Sequence, residues 1–257
     1  RIAGLSHGAT VVLSDIWLGS TGLLAAGVGD YWRNAVARNG GILLVALPIF
    51  LLHWGYIQRR LTEEAERRAA LRKLYLYGAA GVAIGFAAVR GYDLLAGAGF
   101  LAFGGAPQRS AILPGDWLHL ALMSATALAL NAYWQHILRA DGDYGRETTR
   151  AGTVRRLFQT ILGLIGLALV IVGSAQMLEV VWKLLVGRGA LTVEFGWWQN
   201  QLSSGLAQLL VGALMLHLNQ QRWQTVIDAN PAEAATALRR FYLYASVVIS
   251  ALAVLAP

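Results

Sequence analysis

Four stretches of this chain, residues 41–57, 157–178, 202–218 and 242–257, run for 16 to 22 residues with almost no charge. An α-helix rises about 1.5 Å per residue, so runs of this length reach across a hydrocarbon layer of roughly 30 Å, the shorter ones with help from their flanks. No water satisfies a backbone amide inside lipid. A spanning segment must therefore pair its own N–H and C=O groups, which a helix does and an open strand does not. Composition agrees: 14% of the 257 residues are charged and 56% are hydrophobic, where a soluble domain carries about a quarter charged residues. The expectation is an all-α, polytopic transmembrane helical bundle. Weaker runs at 8–28, 74–95 and 117–134 bring the expected number of membrane segments to about seven.

These runs are introduced by a recurring motif, here called the doorstep. Leu71-Arg72-Lys73-Leu74-Tyr75-Leu76-Tyr77 returns as Val154-Arg155-Arg156-Leu157-Phe158 and as Leu238-Arg239-Arg240-Phe241-Tyr242-Leu243-Tyr244. Arg72 and Arg155 are 83 positions apart, and Arg155 and Arg239 are 84 apart. Recurrence at a near-constant period marks tandem structural units, read here as two-helix hairpins in one continuous membrane domain. The first repeat is partial and covers 1–60, the second 61–142, the third 143–226, and a fourth opens over 227–257. On this period a doorstep should precede Arg1 and a returning helix should follow Pro257, so the chain reads as a segment of a longer polypeptide. The linker from 58 to 73 mixes signs at helical spacing, with Glu63 four residues before Arg67 and Glu64 four before Arg68, as in a solvated helical connector. Between the second pair of helices, residues 97–115 are rich in Gly, Ala and Pro and read as a loop. Asn230-Pro231-Ala232-Glu233 reads as a helix start, with Pro at the first position and an acid in the first turn.

Basic residues orient the bundle. Fourteen Lys and Arg fall in the linkers and doorsteps at 58–73, 139–156 and 222–240, against six on the opposite side (Arg33, Arg38, Arg90, Arg109, Lys183 and Arg188). The positive-inside rule places those linkers in the cytoplasm. Trp32, Trp117, Trp197 and Trp198 then mark the outer interface, and Trp54 and Trp134 the inner one.

The doorstep at 71–77, together with Leu51-Leu52-His53-Trp54 closing a returning helix, and the doorstep at 238–244, resemble a family of bacterial multi-pass membrane proteins known as a domain of unknown function, DUF5671. Residues 154–158 and Tyr133-Trp134 are weaker echoes. The resemblance implies successive copies over nearly the whole chain. Departures are Phe158-Gln159-Thr160 where tyrosines are expected and His217-Leu218 in place of His-Trp. A family without an assigned activity carries over no catalytic residues.

Charged groups in or beside apolar runs are the first candidate site: Asp15, Arg90 with Asp93, and Glu179 with Lys183. The spacings of three and four let each pair meet on one helix face, and ionisable groups in lipid are functional suspects. Depth favours structural pairing over an ion path. Glu179 lies 22 residues beyond Leu157, about 33 Å along a helix, and Arg90 lies 16 beyond Leu74, about 24 Å, within snorkelling reach of the outer face. His53 and His217, closing returning helices, are candidate ligands of haem or a chlorophyll-type pigment, set against the plainer reading of interfacial histidines; Tyr133 stands where the middle copy would need its own. No metal site is expected, and with no cysteine in the chain disulfides and thiolate metal sites are excluded. No phosphate-binding Gly-rich loop, His-Glu-x-x-His or Gly-x-Ser-x-Gly occurs. Gly78, Gly81 and Gly85 recur at helical spacing and are expected to allow close helix contact. The net charge of +7 suits anionic lipid headgroups at the linkers, while nucleic-acid binding is not expected. The leading functional expectation is a non-enzymatic structural or accessory subunit of a membrane assembly, packed against lipid and against other subunits or further copies. A transporter or channel and a haem- or pigment-binding subunit are the alternatives.

Overall fold

The computed structural model describes residues 29–59, 69–105, 116–142, 144–147, 149–186 and 197–255. Among them every regular element is helical: α1 (Gly29–Arg59), α2 (Ala70–Ala102), α3 (Asp116–Ala140), α4 (Thr149–Val186), α5 (Trp197–Ala229), a 3₁₀ turn (Pro231–Ala235) and α6 (Ala237–Leu255). Three of these helices, α2, α4 and α5, are long and apolar enough to cross a membrane. The apolar run at 8–28, with Asp15, lies outside the described residues.

Helix ends follow local chemistry. The expected loop at 97–115 begins later, because α2 continues through Gly97 and Gly99 and stops only where a left-handed residue is offered. Gly104 (φ 79°) takes that role. Its N–H donates to the Leu101 carbonyl (3.0 Å) and the Gly105 N–H to the Phe100 carbonyl (2.9 Å), the two bonds of a Schellman cap. The Asn230-Pro231 start opens the 3₁₀ turn rather than α6. The Asn230 side chain accepts from the Ala232 N–H, and Thr236, in an extended conformation, separates the turn from α6.

The chain divides into two compact units, Arg1–Arg90 with Leu113–Asp141, and Gly91–Ile112 with Gly142–Pro257. In the first, α2 presents Leu76, Ala80, Ala83, Ile84 and Ala87 as a buried strip, and Asn131 of α3 donates to the Ala80 carbonyl at 2.9 Å. Gly78 and Gly85 fall off this strip. A Cβ at either would meet nothing within 4 Å among the described residues, so the close contact expected there is absent at these two positions. An aromatic cluster joins α1 to α2 and α3: Trp54 and Trp134 pack edge to face (5.1 Å), Tyr75 packs against both, and the Trp54 indole donates to the Tyr133 hydroxyl at 2.7 Å.

In the second unit the close contact lies between α4 and α5. A Cβ on Gly173 would sit 2.5 Å from the Gly205 carbonyl oxygen, and one on Gly212 would sit 2.7 Å from that of Gly166. Gly166 thus stands opposite Gly212 and Gly173 opposite Gly205, seven residues on along each antiparallel helix. Small residues let helix backbones approach where lipid supplies no hydrophobic drive between them. α6 covers α4 through the Tyr242 ring, which occupies the space beside Gly163.

Candidate functional site

The first two doorsteps form ion pairs with acids from the segments that follow α3 and α5. In the first unit Asp141, just after α3, receives both cations: Arg72 Nη2 at 3.1 Å and Lys73 Nζ at 3.0 Å. Lys73 is buried. Gly142 (φ 82°) turns the chain away immediately after the carboxylate.

The second unit repeats the arrangement with more partners. Arg155 is wholly buried; its Nε reaches Glu147 Oε2 at 2.9 Å and its Nη2 reaches Glu233 Oε1 at 3.1 Å. Arg156 grips Glu233 through one edge of its guanidinium, Nε to Oε2 at 2.8 Å and Nη2 to Oε1 at 2.7 Å. Two cations and two carboxylates balance. The 3₁₀ turn places Glu233, and the Gly145 N–H donates to Glu147 at 3.1 Å. Burial by itself pushes the Glu233 carboxyl up, but the Arg156 hydrogen bonds and the charges of Arg155 and Arg156 outweigh it and hold the group below the usual carboxylate range. These two clusters, here called clasps, lock the open end of each hairpin.

Next to the second clasp lies a polar layer. The seven-residue step that pairs the glycines sets Gln159 opposite Asn219, and both are buried. Arg155 Nη1 donates to Gln159 Oε1 at 3.4 Å. Gln159 Nε2, Thr160 Oγ1, Asn219 Oδ1 and Trp223 Nε1 have no hydrogen-bond partner among the described residues. Buried polar atoms of this kind are rare in folded proteins.

The candidates from the sequence sit elsewhere. Glu179 and Lys183 meet, and Gln201 of α5 donates to the same carboxylate, while Lys183 lies 5.3 Å over the Trp197 ring. This group is exposed and belongs to the hairpin end remote from the clasp. The Arg90 guanidinium lies 5.4 Å over the Phe86 ring, and Asp93 is half-buried one turn further along α2. His53 is exposed beside buried Trp54. His217 is exposed too, with a ring nitrogen 3.0 Å from the Gln221 amide. Of the cations expected at the membrane surface, Arg59, Arg139 and Arg150 are exposed, whereas Lys73 and Arg155 are spent inside the clasps. Sequence reasoning missed Asp141, Glu147 and Glu233 as partners. The signal was an acid a few residues past each returning helix, opposite a doorstep of the reverse charge.

Comparison with curated proteins and with solved structures gives no match. A family model described as a domain of unknown function (DUF5671) matches residues 3–118 and 156–257, two segments consistent with tandem copies, and the chain belongs to that family.

Proposed function

We propose that this protein is a non-enzymatic structural or accessory subunit of a membrane assembly, built from clasped hairpins in a bacterial inner membrane with linkers 58–73, 139–156 and 222–240 in the cytoplasm. The observation that carries the reading is the second clasp. Its four charges balance and are turned on one another, three of them buried and Arg156 partly exposed. The close glycine contacts between α4 and α5 support it, since they favour a rigid pair over a moving one. Purified protein in proteoliposomes should pass no ion or small solute above empty vesicles and should show no visible absorption band. Substrate turnover by the isolated chain would overturn the reading.

The transporter reading draws on the unsatisfied atoms of Gln159, Thr160, Asn219 and Trp223, because polar groups facing one another between membrane helices often mark a solute path. Flux that disappears in Gln159→Leu with Asn219→Leu, in a variant that still folds, would favour it. The haem or pigment reading of His53 and His217 rests on the absorption measurement alone.

A further inference from the structure

The third doorstep repeats the first closely, yet its surroundings differ. Aligned on the motif, Lys73 corresponds to Arg240, Leu76 to Leu243, Tyr77 to Tyr244 and Ala80 to Val247. In α2 the last three are 0%, 3% and 0% exposed; in α6 they are 48%, 71% and 68% exposed. The corresponding residues of α4, Gln159, Thr160 and Gly163, are buried as well. The same positions are covered in two hairpins and open in α6, while the opposite side of α6 is already engaged through Tyr242 beside Gly163.

The charges repeat the contrast. Arg72, Lys73, Arg155 and Arg156 all hold carboxylates. Arg239 donates only to the Ala234 carbonyl, at 2.9 Å, and Arg240 is exposed; neither forms an ion pair among the described residues. An apolar strip alone would suit lipid. A strip that starts at two cations, in a motif that twice elsewhere receives a returning helix together with its acid, suits a polypeptide.

We infer that Leu243, Tyr244 and Val247 of α6, with Arg239 and Arg240, form a docking site for an antiparallel apolar membrane helix that carries an Asp or Glu just beyond its doorstep-side end. This partner does for α6 what α3 with Asp141 does for α2. The inference rests on the clasped-hairpin reading above for placing these helices in lipid, but not on the absence of transport or catalysis.

The chain contains no cysteine, so disulfide trapping gives a clean test. The whole chain carrying Val247→Cys is reconstituted in liposomes with a synthetic peptide of residues 116–142, which is α3 with Asp141, carrying Asn131→Cys at the position that meets Ala80. Mild oxidation should trap a one-to-one chain–peptide disulfide. Charge reversal at the doorstep (Arg239→Glu with Arg240→Glu) should lower its yield at least about tenfold, the equivalent of 1.4 kcal/mol, and Asp141→Lys in the peptide should restore it. The restored arm guards against a variant that merely misfolds. No disulfide, a yield indifferent to both charge changes, or a dominant chain–chain disulfide between two copies of Val247→Cys would each overturn the site. Failure here would leave the scaffold reading standing, because flux and absorption test that separately.

Discussion

Replacing Glu233 by Gln keeps the shape of the second clasp and removes one of its two negative charges. Arg155 is fully buried and retains Glu147 at 2.9 Å, whereas Arg156 loses a two-pronged partner at 2.7 and 2.8 Å. Removing one member of a buried pair costs about 3–5 kcal/mol, because the remaining charge stays desolvated. Arg156 is partly exposed and relaxes toward water, so the low end applies, about 3 kcal/mol. For a chain of this size that corresponds to a fall in Tm of roughly 6–12 °C. The assay is unfolding of the detergent-solubilised protein, with Glu179→Gln as control. That residue belongs to an exposed pair, worth about 0–1 kcal/mol. A double-mutant cycle over Arg156→Ala and Glu233→Ala isolates the pairwise part. If Glu233→Gln destabilises no more than Glu179→Gln, the clasp is ordinary surface chemistry and the reasoning fails.

The acid limb of stability should carry the same signature. Glu233 is held below its ordinary value, so its stabilisation is complete above about pH 4.3, the unfolded carboxyl value, and is lost as pH falls through the lower folded value; unfolding measured from pH 6 to pH 2 should lose part of its acid dependence in Glu233→Gln. Gly173→Leu places side-chain atoms on the Gly205 backbone and should destabilise by about 1–3 kcal/mol, seen as a lower unfolding midpoint, while Gly78→Leu, facing open space, should shift it little. Gly104→Ala forces a Cβ into the left-handed region at φ 79° and should cost about 1–2 kcal/mol. Trp54→Phe removes the indole bond to Tyr133 and should cost about 1 kcal/mol while leaving the second unit untouched, as hydrogen exchange of α4 and α5 would report.

The helical character was legible because long uncharged runs admit only one backbone solution in lipid. The doorsteps were legible because Arg-basic-aromatic strings stand out against Leu and Ala. Their partners were not: Asp141 is 68 residues from Lys73 and Glu233 is 77 from Arg156, and a lone acid in a polar linker looks like ordinary solubility until the turn that carries it is seen. The contact expected at Gly78 and Gly85 is missing for a related reason. Gly78 and Gly85 lie within one helix and carry no information about which side the neighbour takes. Gly166, Gly173, Gly205 and Gly212 show matched seven-residue steps on two helices, and only the pair of spacings defines a seam. Gln159 and Asn219 continue that seam, a relation visible only once the antiparallel register is known.

The separation of the clasp partners has a consequence for biosynthesis. Arg156 leaves the ribosome 77 residues ahead of Glu233, an interval of about 4–15 s at ordinary elongation rates. Throughout it Arg156 lacks the carboxylate that will hold it, and an arginine at the end of an apolar run is the signal that retains a segment on the cytoplasmic side during insertion. When the carboxylate emerges Arg156 becomes a latch without undoing its earlier effect, because acids weigh little in setting orientation.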